Sequence, residues 1–422
     1  MLDVIIIGAG AAGLNAARIL SRSGKSICIV EARNRIGGRI HTIKGEGFSV
    51  PVEAGAEFMH GELPLTKALM QEANVTYRAG KGKTWNVHQN QLSEDDLFHD
   101  DWHVLLERLQ QLDRDMTMGD FLSRYFKEPK YESLTDAVRR FVQGYDAADV
   151  NKASALALRE EWNSEDVKGY RPTGGYSQLI DFLWSEIQKY SAVLKLSTVV
   201  KKISWSRNQV EILTDQNETW VAGKVLVTVP VSLLKTQTIQ FDPPLRQHQR
   251  ALQHLEVGGV IKFLVEFKDR AWERPASHFR QMPGLNFLFS DAFVPTWWTQ
   301  KPSDVPLLTG WLSGPSVEAI QRDDQSLLEH GFKSLSYLFE CKEELLMNEI
   351  RAAKVINWSA DPHSMGAYAY KTLQTSTAIE LFSVPVEGTI YFAGEGLYDG
   401  PEMGTVEAAL VSGQTASTRM LH

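Results

Sequence analysis

Cysteine is the scarcest residue in this chain of 422 residues, which contains only Cys28 and Cys341. Two cysteines cannot build the disulfide framework of a small secreted protein or a cysteine-rich metal centre. Cys28 also lies inside a short apolar run with the pattern of a buried strand. The sequence therefore excludes a disulfide-stabilised scaffold and a thiolate metal site.

Long apolar runs and an excess of positive charge are also missing. No stretch has the roughly 20 apolar residues of a membrane-spanning helix, and residues 418–422 do not resemble a membrane anchor. The first strand pattern begins at Asp3, which leaves no room before it for a signal peptide. The 52 acidic residues outnumber the 44 Lys and Arg residues, and the net charge of −8 argues against nucleic acid as a partner. We therefore expect a cytoplasmic protein with no membrane anchor and no nucleic-acid partner.

The composition that remains is that of an ordinary globular protein. Hydrophobic residues make up 43% of the chain and charged residues 23%, which is enough to build a large core. The length predicts two or three domains.

The first 31 residues carry the pattern of a dinucleotide-binding unit. The segment Asp3-Val4-Ile5-Ile6-Ile7, which is apolar from Val4, stops at Gly8-x-Gly10-x-x-Gly13, and helix-forming residues follow. This order predicts a strand, a tight turn and a helix whose free N–H groups point at a pyrophosphate. Gly8 makes the turn, Gly10 lets the phosphates approach, and Gly13 lets the helix pack closely on the strand. Glu31 ends the next strand pattern, where its carboxylate can accept hydrogen bonds from ribose hydroxyls.

The glycine pattern alone does not distinguish FAD from NAD. The next segment, Arg35-x-Gly37-Gly38-Arg39-x-x-Thr42, resembles the second fingerprint of the flavin-dependent amine oxidase family. In that family the arginine near the glycines lies against the flavin pyrophosphate, a role that suits the phosphate affinity of arginine. The resemblance implies that Arg39 contacts FAD, whereas the structural alternative is a Gly-Gly turn flanked by solvated arginines.

Residues 52–61 form the next informative segment. Small residues around Gly55 let the backbone approach a planar ligand such as a flavin. The segment resembles the Gly-Ala-x-x-x-His-Gly sequence of animal-type polyamine oxidases, in which the histidine lies near the substrate amine. The resemblance implies an active-site role for His60, although a lone histidine is as often a hydrogen-bonded, partly buried residue. Glu57 is a candidate contact for a cationic polyamine tail.

From residue 63 to about residue 162 the pattern becomes helical. Apolar residues recur at spacings of three and four over residues 101–112, 118–126 and 135–145. We interpret this block as the first part of a substrate domain inserted into the nucleotide fold. We assign its aromatic residues to core packing rather than to ligand contacts: Phe121, Tyr125, Phe141 and Tyr145.

Strand patterns follow in the middle of the chain. Alternation predicts antiparallel strands over residues 195–200, 202–205, 209–214 and 220–222. Residues 224–230 predict a buried strand that ends at the nucleotide edge. In the resembling family, the residues that match Val200, Thr228 and Val229 lie at this edge, with the valine at position 200 against the adenine.

Lys262 is the one charged residue in the middle of a strand predicted over residues 256–267, and its neighbours there are apolar on both faces. Such a lysine points either to solvent or into a cleft. It matches the lysine that in amine oxidases holds a water against flavin N5, where a positive group would stabilise charge on the reduced ring. We therefore predict that Lys262 faces the flavin.

The remaining patterns of the second half are less specific. Residues 245–255 and 316–339 carry helical spacing. Residues 286–290 and 295–298 form an aromatic-rich hairpin or loop. We assign it to core packing at the domain junction, with one ring left open as a candidate for the substrate entrance.

The last segment resembles the family again. Residues 358–370 look like its Trp-x-x-Asp-Pro-x-x-x-Gly-x-Tyr element, and residues 389–396 and 404–413 look like its closing FAD motif. A strand that ends at Glu395 and a helix that starts near Thr405 place another helix N-terminus beside the cofactor. By the resemblance, Tyr368 forms the aromatic wall over the flavin and Glu395 accepts from ribityl hydroxyls.

The resemblance covers nearly the whole chain in the right order, and it implies the following fold, reaction and sites. The fold is α/β, with an FAD-binding Rossmann-like domain of the GR2 type and a discontinuous α+β substrate domain. The FAD-binding domain comprises residues 1–62, 170–235 and 386–422, and the substrate domain, with its helical insert, comprises residues 63–169 and 236–385. Hydride passes from the carbon beside the amine nitrogen to flavin N5, water hydrolyses the imine, and molecular oxygen yields hydrogen peroxide. No metal is implied.

The implied catalytic residues are His60, Lys262, Tyr368 and Thr405. The implied cofactor-binding residues are Gly8, Gly10, Ala12, Gly13, Glu31, Ala32, Arg33, Gly37, Gly38, Arg39, Gly55, Ala56, Glu57, Val200, Thr228, Val229, Trp358, Gly394, Glu395, Thr405 and Val406.

Departures from the family pattern refine these expectations. Members with covalent flavin carry a cysteine one or two positions before the tyrosine that matches Tyr368, but Ala367 precedes it here, so we predict non-covalent FAD. The second aromatic of the monoamine oxidase cage falls at Thr405, as in histone lysine demethylases, which opens the site to bulkier or secondary amines. No arginine follows Ala56, where amino-acid oxidases grip the substrate carboxylate. An L-amino-acid oxidase and an FAD-dependent desaturase or dehydrogenase of a bulky apolar substrate stay open as alternatives.

Overall fold

The structure is a computed structural model that describes residues 1–94, 100–164, 169–275, 277–318, 320 and 323–422. The strands are β1 (Leu2–Ile7), β2 (Ile27–Val30), β3 (Thr42–Ile43), β4 (Val52–Glu53), β5 (Tyr77–Ala79), β6 (Lys83–His88), β7 (Gln91–Glu94), β8 (Tyr170–Pro172), β9 (Val193–Lys195), β10 (Val200–Ser206), β11 (Gln209–Thr214), β12 (Thr219–Val227), β13 (Gln240–Asp242), β14 (Glu256–Gly258), β15 (Val260–Phe267), β16 (Leu285–Ser290), β17 (Thr296–Thr299), β18 (Leu307–Ser313), β19 (Ile350–Asn357), β20 (Tyr368–Tyr370) and β21 (Ile390–Phe392). The helices are α1 (Ala11–Arg22), α2 (Pro64–Glu72), α3 (Trp102–Gln110), α4 (Met118–Tyr125), α5 (Glu132–Gly144), α6 (Ala155–Ser164), α7 (Ser177–Ile187), α8 (Val231–Lys235), α9 (Arg246–Ala251), α10 (Pro315–Glu318), α11 (Asp324–Leu338), α12 (Glu343–Glu349), α13 (Thr375–Ser383) and α14 (Val406–Leu421).

A mixed sheet holds the N-terminal motif at its centre. Its described strands run in the order β13-β10-β11-β12-β1-β2-β9, and β21 pairs with the end of β12. β1 is parallel to both neighbours, with Ile7 opposite Val227 on one side and Val30 on the other. Because helices cover this part of the sheet, β2 is buried at every residue, which explains its uninterrupted apolar sequence.

Helices α1 and α14 pack together over this sheet. A Cβ atom at Gly413 of α14 would stand 2.2 Å from the carbonyl oxygen of Ala12 in α1. The glycine therefore allows the two backbones to approach closely, and it brings the C-terminal helix to the glycine turn after β1.

A second sheet forms the other half of the molecule. Its described strands run in the order β19-β15-β18-β17-β16-β6-β7, and the pairs are antiparallel except for β16 with β6. β15 is buried at every residue and lies between β18 and β19. Lys262 is therefore placed in the interior of the protein by its own strand.

The predicted helical block is present as α3, α4, α5 and α6, which share a core of their own. Phe121 is fully buried in that core, as predicted. The prediction was wrong for Phe141 and Tyr145, because both line the large cavity described below. Helical spacing identifies a buried face, but it does not show whether that face meets core or cavity.

The predictions for several strands and helices need correction. The strand predicted over residues 195–200 is two elements: β9 pairs in parallel with β2, and β10 starts at Val200 after a left-handed residue, Ser197, with φ of 52°. The strand predicted over residues 256–267 breaks between β14 and β15. A Cβ atom at Gly258 would lie 2.3 Å from the carbonyl oxygen of Ala147, so this glycine marks a close approach of the helical block.

The two helical predictions of the second half are also shorter in the structure. Residues 245–255 form α9 followed by a 3₁₀ turn at Leu252–His254. Residues 316–339 form α10 and α11, and residues 319, 321 and 322 of that prediction lie outside the described residues.

The α/β fold with a second, sheet-based domain is confirmed. The division of the chain stays a prediction, and two elements bear on its boundaries. β13 joins the first sheet although it follows residue 235, and α13 packs into the core of that sheet although it precedes residue 386. Among the described helices, none combines the length and the apolar character needed to cross a membrane.

Candidate active site

The turn between β1 and α1 has the geometry that its glycines predict. Gly8 has φ of +108°, a left-handed conformation that suits glycine. A Cβ atom at Gly13 would stand 2.0 Å from the carbonyl oxygen of Gly8, so Gly13 keeps helix and strand in contact. At Gly10 an added Cβ would meet no atom within 4 Å, and Gly10 lines the cavity. The backbone at Gly10 is therefore open to a ligand.

Glu31 follows β2 directly and is 6% exposed. Its carboxylate accepts hydrogen bonds from the backbone N–H of Ala9 at 2.8 Å and of Arg33 at 2.9 Å. The first of these bonds ties the glycine turn to the end of β2. A carboxylate has about four acceptor positions, so Glu31 can hold the turn and still accept from a ribose hydroxyl.

Arg39 and Glu395, which come from opposite ends of the chain, pair at 2.7 Å. Arg39 also donates to the carbonyl oxygen of Ala367, and Glu395 accepts from the N–H of Ala369 at 3.1 Å. Both side chains line the cavity. The pair joins the second glycine segment to the closing motif beside the position predicted for the flavin.

Sequence reasoning missed the partners of Arg33. Its guanidinium binds the carboxylate of Asp361 through two nitrogens, at 2.8 and 2.6 Å, and Ser364 Oγ at 2.8 Å. It also lies 5.9 Å from the ring of Trp358, whose indole N–H donates to the carbonyl oxygen of Ala54 at 2.9 Å. Asp361 belongs to the predicted Trp-x-x-Asp-Pro element, but nothing in the sequence gave its partner 328 residues away.

One cavity of about 1460 Å³ connects these residues with the second sheet and the helical block. Of the residues predicted to bind cofactor or substrate, all except Gly13 line it. Ligand pockets commonly measure about 300–1,000 Å³, so this cavity has room for a dinucleotide and a further small molecule. Among the described residues, no cluster of three or more His, Cys, Asp or Glu side chains is arranged to hold a metal ion.

Lys262 is 1% exposed and lines the inner part of the cavity. Its ammonium donates to Glu57 Oε2 at 2.8 Å and to the carbonyl oxygen of Gly55 at 3.1 Å. The solvent-facing alternative for Lys262 is therefore wrong, because β15 is buried on both faces.

Glu57 is the centre of a buried hydrogen-bond network. Besides Lys262, its carboxylate accepts from Arg171 Nε at 3.0 Å, Trp298 Nε1 at 2.9 Å and Gln300 Nε2 at 3.3 Å. Burial opposes its ionisation, but the charges of Lys262 and Arg171 outweigh burial and lower the pKa of Glu57 to about 2. These four hydrogen bonds fill the roughly four acceptor positions of a carboxylate, so the predicted contact of Glu57 with a polyamine tail is not favoured.

His60 lies at the cavity wall between the rings of Phe58 and Tyr145, at centroid distances of 5.3 and 5.6 Å. Burial, reinforced by the charge of Arg171, lowers the pKa of His60 to about 4. The imidazole is therefore neutral at physiological pH and can both donate and accept a hydrogen bond.

An aromatic wall faces the cavity from β18 and β20. The rings of Trp311 and Tyr368 are nearly parallel at a centroid distance of 6.4 Å. The Trp311 indole donates to the carbonyl oxygen of Gly144 at 2.8 Å, and the Tyr368 hydroxyl donates to that of Tyr145. Both rings are thus anchored on the end of α5, which fixes the helical block against the aromatic wall.

Thr405 has a local role that the resemblance did not give. Its hydroxyl accepts from the N–H of Ala408 at 3.2 Å and donates to the carbonyl oxygen of Glu402 at 2.7 Å, as an N-cap of α14. The helix therefore starts at the cavity wall, where Thr405 and Val406 both line the cavity. Phe287, Phe289 and Trp298 of the aromatic hairpin also line it, so that the assignment of this hairpin to core packing is only partly correct.

The residues present fit FAD. At Gly394, as at Gly10, an added Cβ would meet no atom within 4 Å, so that two glycine-rich segments leave open space at one side of the same cavity. Glu31 and Arg39 line this part with a carboxylate and a guanidinium suited to ribose and pyrophosphate.

The dinucleotide turn, the buried Lys262 and the aromatic wall line one large cavity, and together they define the class of flavoprotein oxidoreductases. The chain belongs to the family described as flavin containing amine oxidoreductase, whose model matches residues 11–421. The resemblance noted in the sequence and the prediction of FAD as cofactor are thereby confirmed.

The relatives are about a quarter identical to this chain over the aligned residues. Lysine-specific histone demethylase 1 homolog 3 of Arabidopsis thaliana is 25% identical over 99% of this chain, which spans 30% of that protein. Polyamine oxidase 2 of Arabidopsis thaliana is 26% identical, over 99% of this chain and 89% of its own length. The solved structure of wild-type putrescine oxidase bound to putrescine superposes with a TM-score of 0.79 and 20% identity, over 100% of this chain and 99% of that one. The last comparison supports the fold.

Proposed function

We propose that this protein is an FAD-dependent oxidase of a polyamine or another primary or secondary amine. The products are an imine, which hydrolyses to an aldehyde, and hydrogen peroxide from molecular oxygen. The observation that carries the proposal is the single cavity, which joins the dinucleotide turn to Lys262, His60 and Tyr368 in a chain of this family.

The residues that hold FAD belong to segments from both ends of the chain. The backbone at Gly10 and the N-terminus of α1 would bind the pyrophosphate, together with Arg39, and Glu31 would bind a ribose. With Ala367 before Tyr368, the chain offers no thiol at the position where family members attach their flavin, so the cofactor is bound without a covalent link. FAD held by these residues would supply the acceptor for a hydride from the carbon next to the amine nitrogen.

The chain itself supplies orientation, charge and exclusion of water. Lys262 provides a positive charge at the inner cavity wall, where it stabilises negative charge that develops on the cofactor. The neutral His60 can accept a hydrogen bond from the amine, and Tyr368 with Trp311 offers an aromatic surface against which the amine carbon lies. Lys262 is buried, whereas His60, Trp311 and Tyr368 are half-buried, so that a substrate bound against them would displace the remaining water.

Two observations support a polyamine among the possible amines. The relatives include a polyamine oxidase, and the putrescine oxidase of similar fold binds a diamine. Besides Glu57, eight acidic residues line the cavity, and acidic side chains suit a ligand with more than one positive charge: Glu31, Glu62, Asp146, Glu160, Glu161, Asp291, Glu395 and Glu402. Arg171, which also lines the cavity, donates to Glu57 and to two backbone carbonyls, which disfavours a substrate carboxylate as its partner.

Steady-state assays test the substrate class. We expect spermidine or a simple monoamine to give hydrogen peroxide at a higher kcat/KM than L-amino acids. A strict preference for L-amino acids would exclude the polyamine proposal and restore the amino-acid oxidase alternative.

A further inference from the structure

Two buried cations share one buried carboxylate beside the cavity. Glu57 is 5% exposed, Lys262 1% and Arg171 9%. The two cation–carboxylate distances are 2.8 Å to Lys262 and 3.0 Å to Arg171. A Lys–Glu pair alone would be neutral, whereas the three groups together carry a net charge of +1. Arg171 therefore leaves a positive charge at the inner wall although Lys262 is paired.

The position of Arg171 is fixed independently of Glu57. Its guanidinium donates to the carbonyl oxygens of Lys301 at 2.7 Å and of Thr299 at 3.0 Å, at the end of β17. It also lies 4.1 Å from the ring of Phe58. Arg171 itself lies in β8. It therefore connects β8 with the segment of Glu57 and Phe58 and with the segment of Thr299 and Lys301.

The orientation of the Lys262 ammonium is equally restricted. An ammonium group has three N–H donors. Among the described residues, Glu57 Oε2 accepts one of them and the carbonyl oxygen of Gly55 accepts a second. The Trp298 ring lies 5.8 Å from the nitrogen, and its indole N–H is itself bound to Glu57. The third proton is left for the cavity that Lys262 lines.

We propose that Glu57 and Arg171 are positioning residues for Lys262, which fix its ammonium group and set the net positive charge that the flavin experiences. The proposal rests on the proposed function only in that Lys262 acts on the flavin. Glu53 is the other carboxyl group close enough to interact with Lys262 and Glu57, and burial raises its pKa to about 7. His60 feels the charge of Arg171, and because its pKa is lowered to about 4, it is neutral at neutral pH.

The midpoint potential of the bound flavin tests the proposal. Positive charge near the isoalloxazine stabilises its reduced form. A change in the net charge of Glu57, Lys262 and Arg171 therefore changes the midpoint potential with a predictable sign. Glu57→Gln removes a negative charge and should raise the potential. Arg171→Gln removes a positive charge and should lower it. The measurement uses chemical reduction at one fixed pH, so it needs no amine and is independent of whether the amine proposal holds.

Matched variants separate charge from packing. Glu57→Asp and Arg171→Lys keep the charges and should keep the potential close to that of the unmodified protein. Glu266→Gln is the control for losing a buried carboxylate on the strand of Lys262, because Glu266 is fully buried, accepts from the N–H of Ser49 at 2.8 Å and does not line the cavity. It should leave the potential unchanged. The proposal would be overturned if the midpoint potential shifted with the same sign in Glu57→Gln and Arg171→Gln, or did not shift in either. It would also be overturned if the charge-conserving variants shifted the potential equally.

Discussion

At the scale of single residues, Gly10 and Gly13 of the N-terminal turn have different roles. An added methyl group at Gly13 meets backbone, whereas at Gly10 it enters open space, and Gly10 has an extended conformation with φ of −78° that alanine also adopts. A substitution at Gly13 should therefore mainly change stability, and a substitution at Gly10 should mainly change cofactor binding.

We expect Gly13→Ala to lower the free energy of unfolding by about 2 kcal/mol, with or without FAD, because the helix must move away from the strand. Gly10→Ala should change it by less than about 0.5 kcal/mol in the FAD-free protein. The same variant should weaken FAD binding about tenfold, the equivalent of one lost hydrogen bond to phosphate. Urea unfolding and FAD titration measure the two effects. Equal loss of stability in both variants would contradict these assignments.

The buried lysine gives a second prediction at this scale. Lys262→Met should retain FAD but slow reoxidation of the reduced flavin by oxygen on the order of tenfold or more, because the positive charge at the cavity wall is lost. Lys268→Met is the matched control, since Lys268 follows the same strand but is exposed and donates to the carbonyl oxygen of Asn348. Stopped-flow reoxidation measures both rates. Unchanged kinetics in Lys262→Met would show that Lys262 does not act on the flavin.

The sequence predicted those site residues whose role depends on local pattern. Gly8, Glu31 and Lys262 stand at positions where turn, strand end and strand centre leave few alternatives. The partners that complete the site were not predictable, because Glu57 meets Arg171 across 114 residues and Trp298 across 241. Such contacts follow from the folded arrangement of several strands, and the residues around Arg171 and Trp298 carry no pattern that indicates them.

At the scale of elements, strand and helix types were predicted well, and errors occurred where another segment approaches. The strand over residues 256–267 reads as one run, but Gly258 admits the backbone of Ala147 and the strand breaks there. Residues 195–200 alternate like one strand, yet the chain turns at Ser197 because β9 pairs with β2 and β10 pairs with β11 and β13. Tertiary contacts determine these strand boundaries, and the alternation of apolar residues in the sequence does not reveal such contacts.

The N-cap of α14 gives a prediction for this scale. Thr405→Val should lower the free energy of unfolding by about 1 kcal/mol, because the N–H of Ala408 loses its acceptor at the helix start. Thr405→Ser keeps the hydroxyl and should be nearly neutral. Thermal unfolding of both variants measures the difference. Equal stability of the Val and Ser variants would indicate that Thr405 does not cap the helix and acts on ligands alone.

At the scale of the whole molecule, half-buried histidines make the fold sensitive to acid. Burial lowers the pKa of His41 and of His60 from 6.5 to about 4. Between these pH values the unfolded chain binds more protons than the folded one, so the free energy of unfolding falls as the pH falls. Glu53 acts in the opposite direction, because burial raises its pKa from 4.5 to about 7 and the folded state then binds the extra proton. Two histidines outweigh one glutamate, and the net effect of acidification is loss of stability.

Urea unfolding of the FAD-bound protein at several pH values between about 4.5 and 6.5 tests this balance. We expect the unfolding midpoint to fall with pH and His41→Gln to reduce the slope. His103→Gln, at an exposed histidine of the helical block, is the control and should leave the slope unchanged. A midpoint that rises on acidification would contradict the assignment of His41 and His60 as neutral.

The central claim is that the cavity between the two sheets holds FAD, where an amine can reduce it. The visible absorption spectrum of the purified protein during anaerobic addition of amines tests this claim most directly. We predict a flavin spectrum that bleaches on addition of a substrate amine and returns when oxygen is admitted. A protein that remains colourless after reconstitution with FAD, or whose bound flavin stays oxidised across a panel of polyamines, monoamines and secondary amines, would contradict the account.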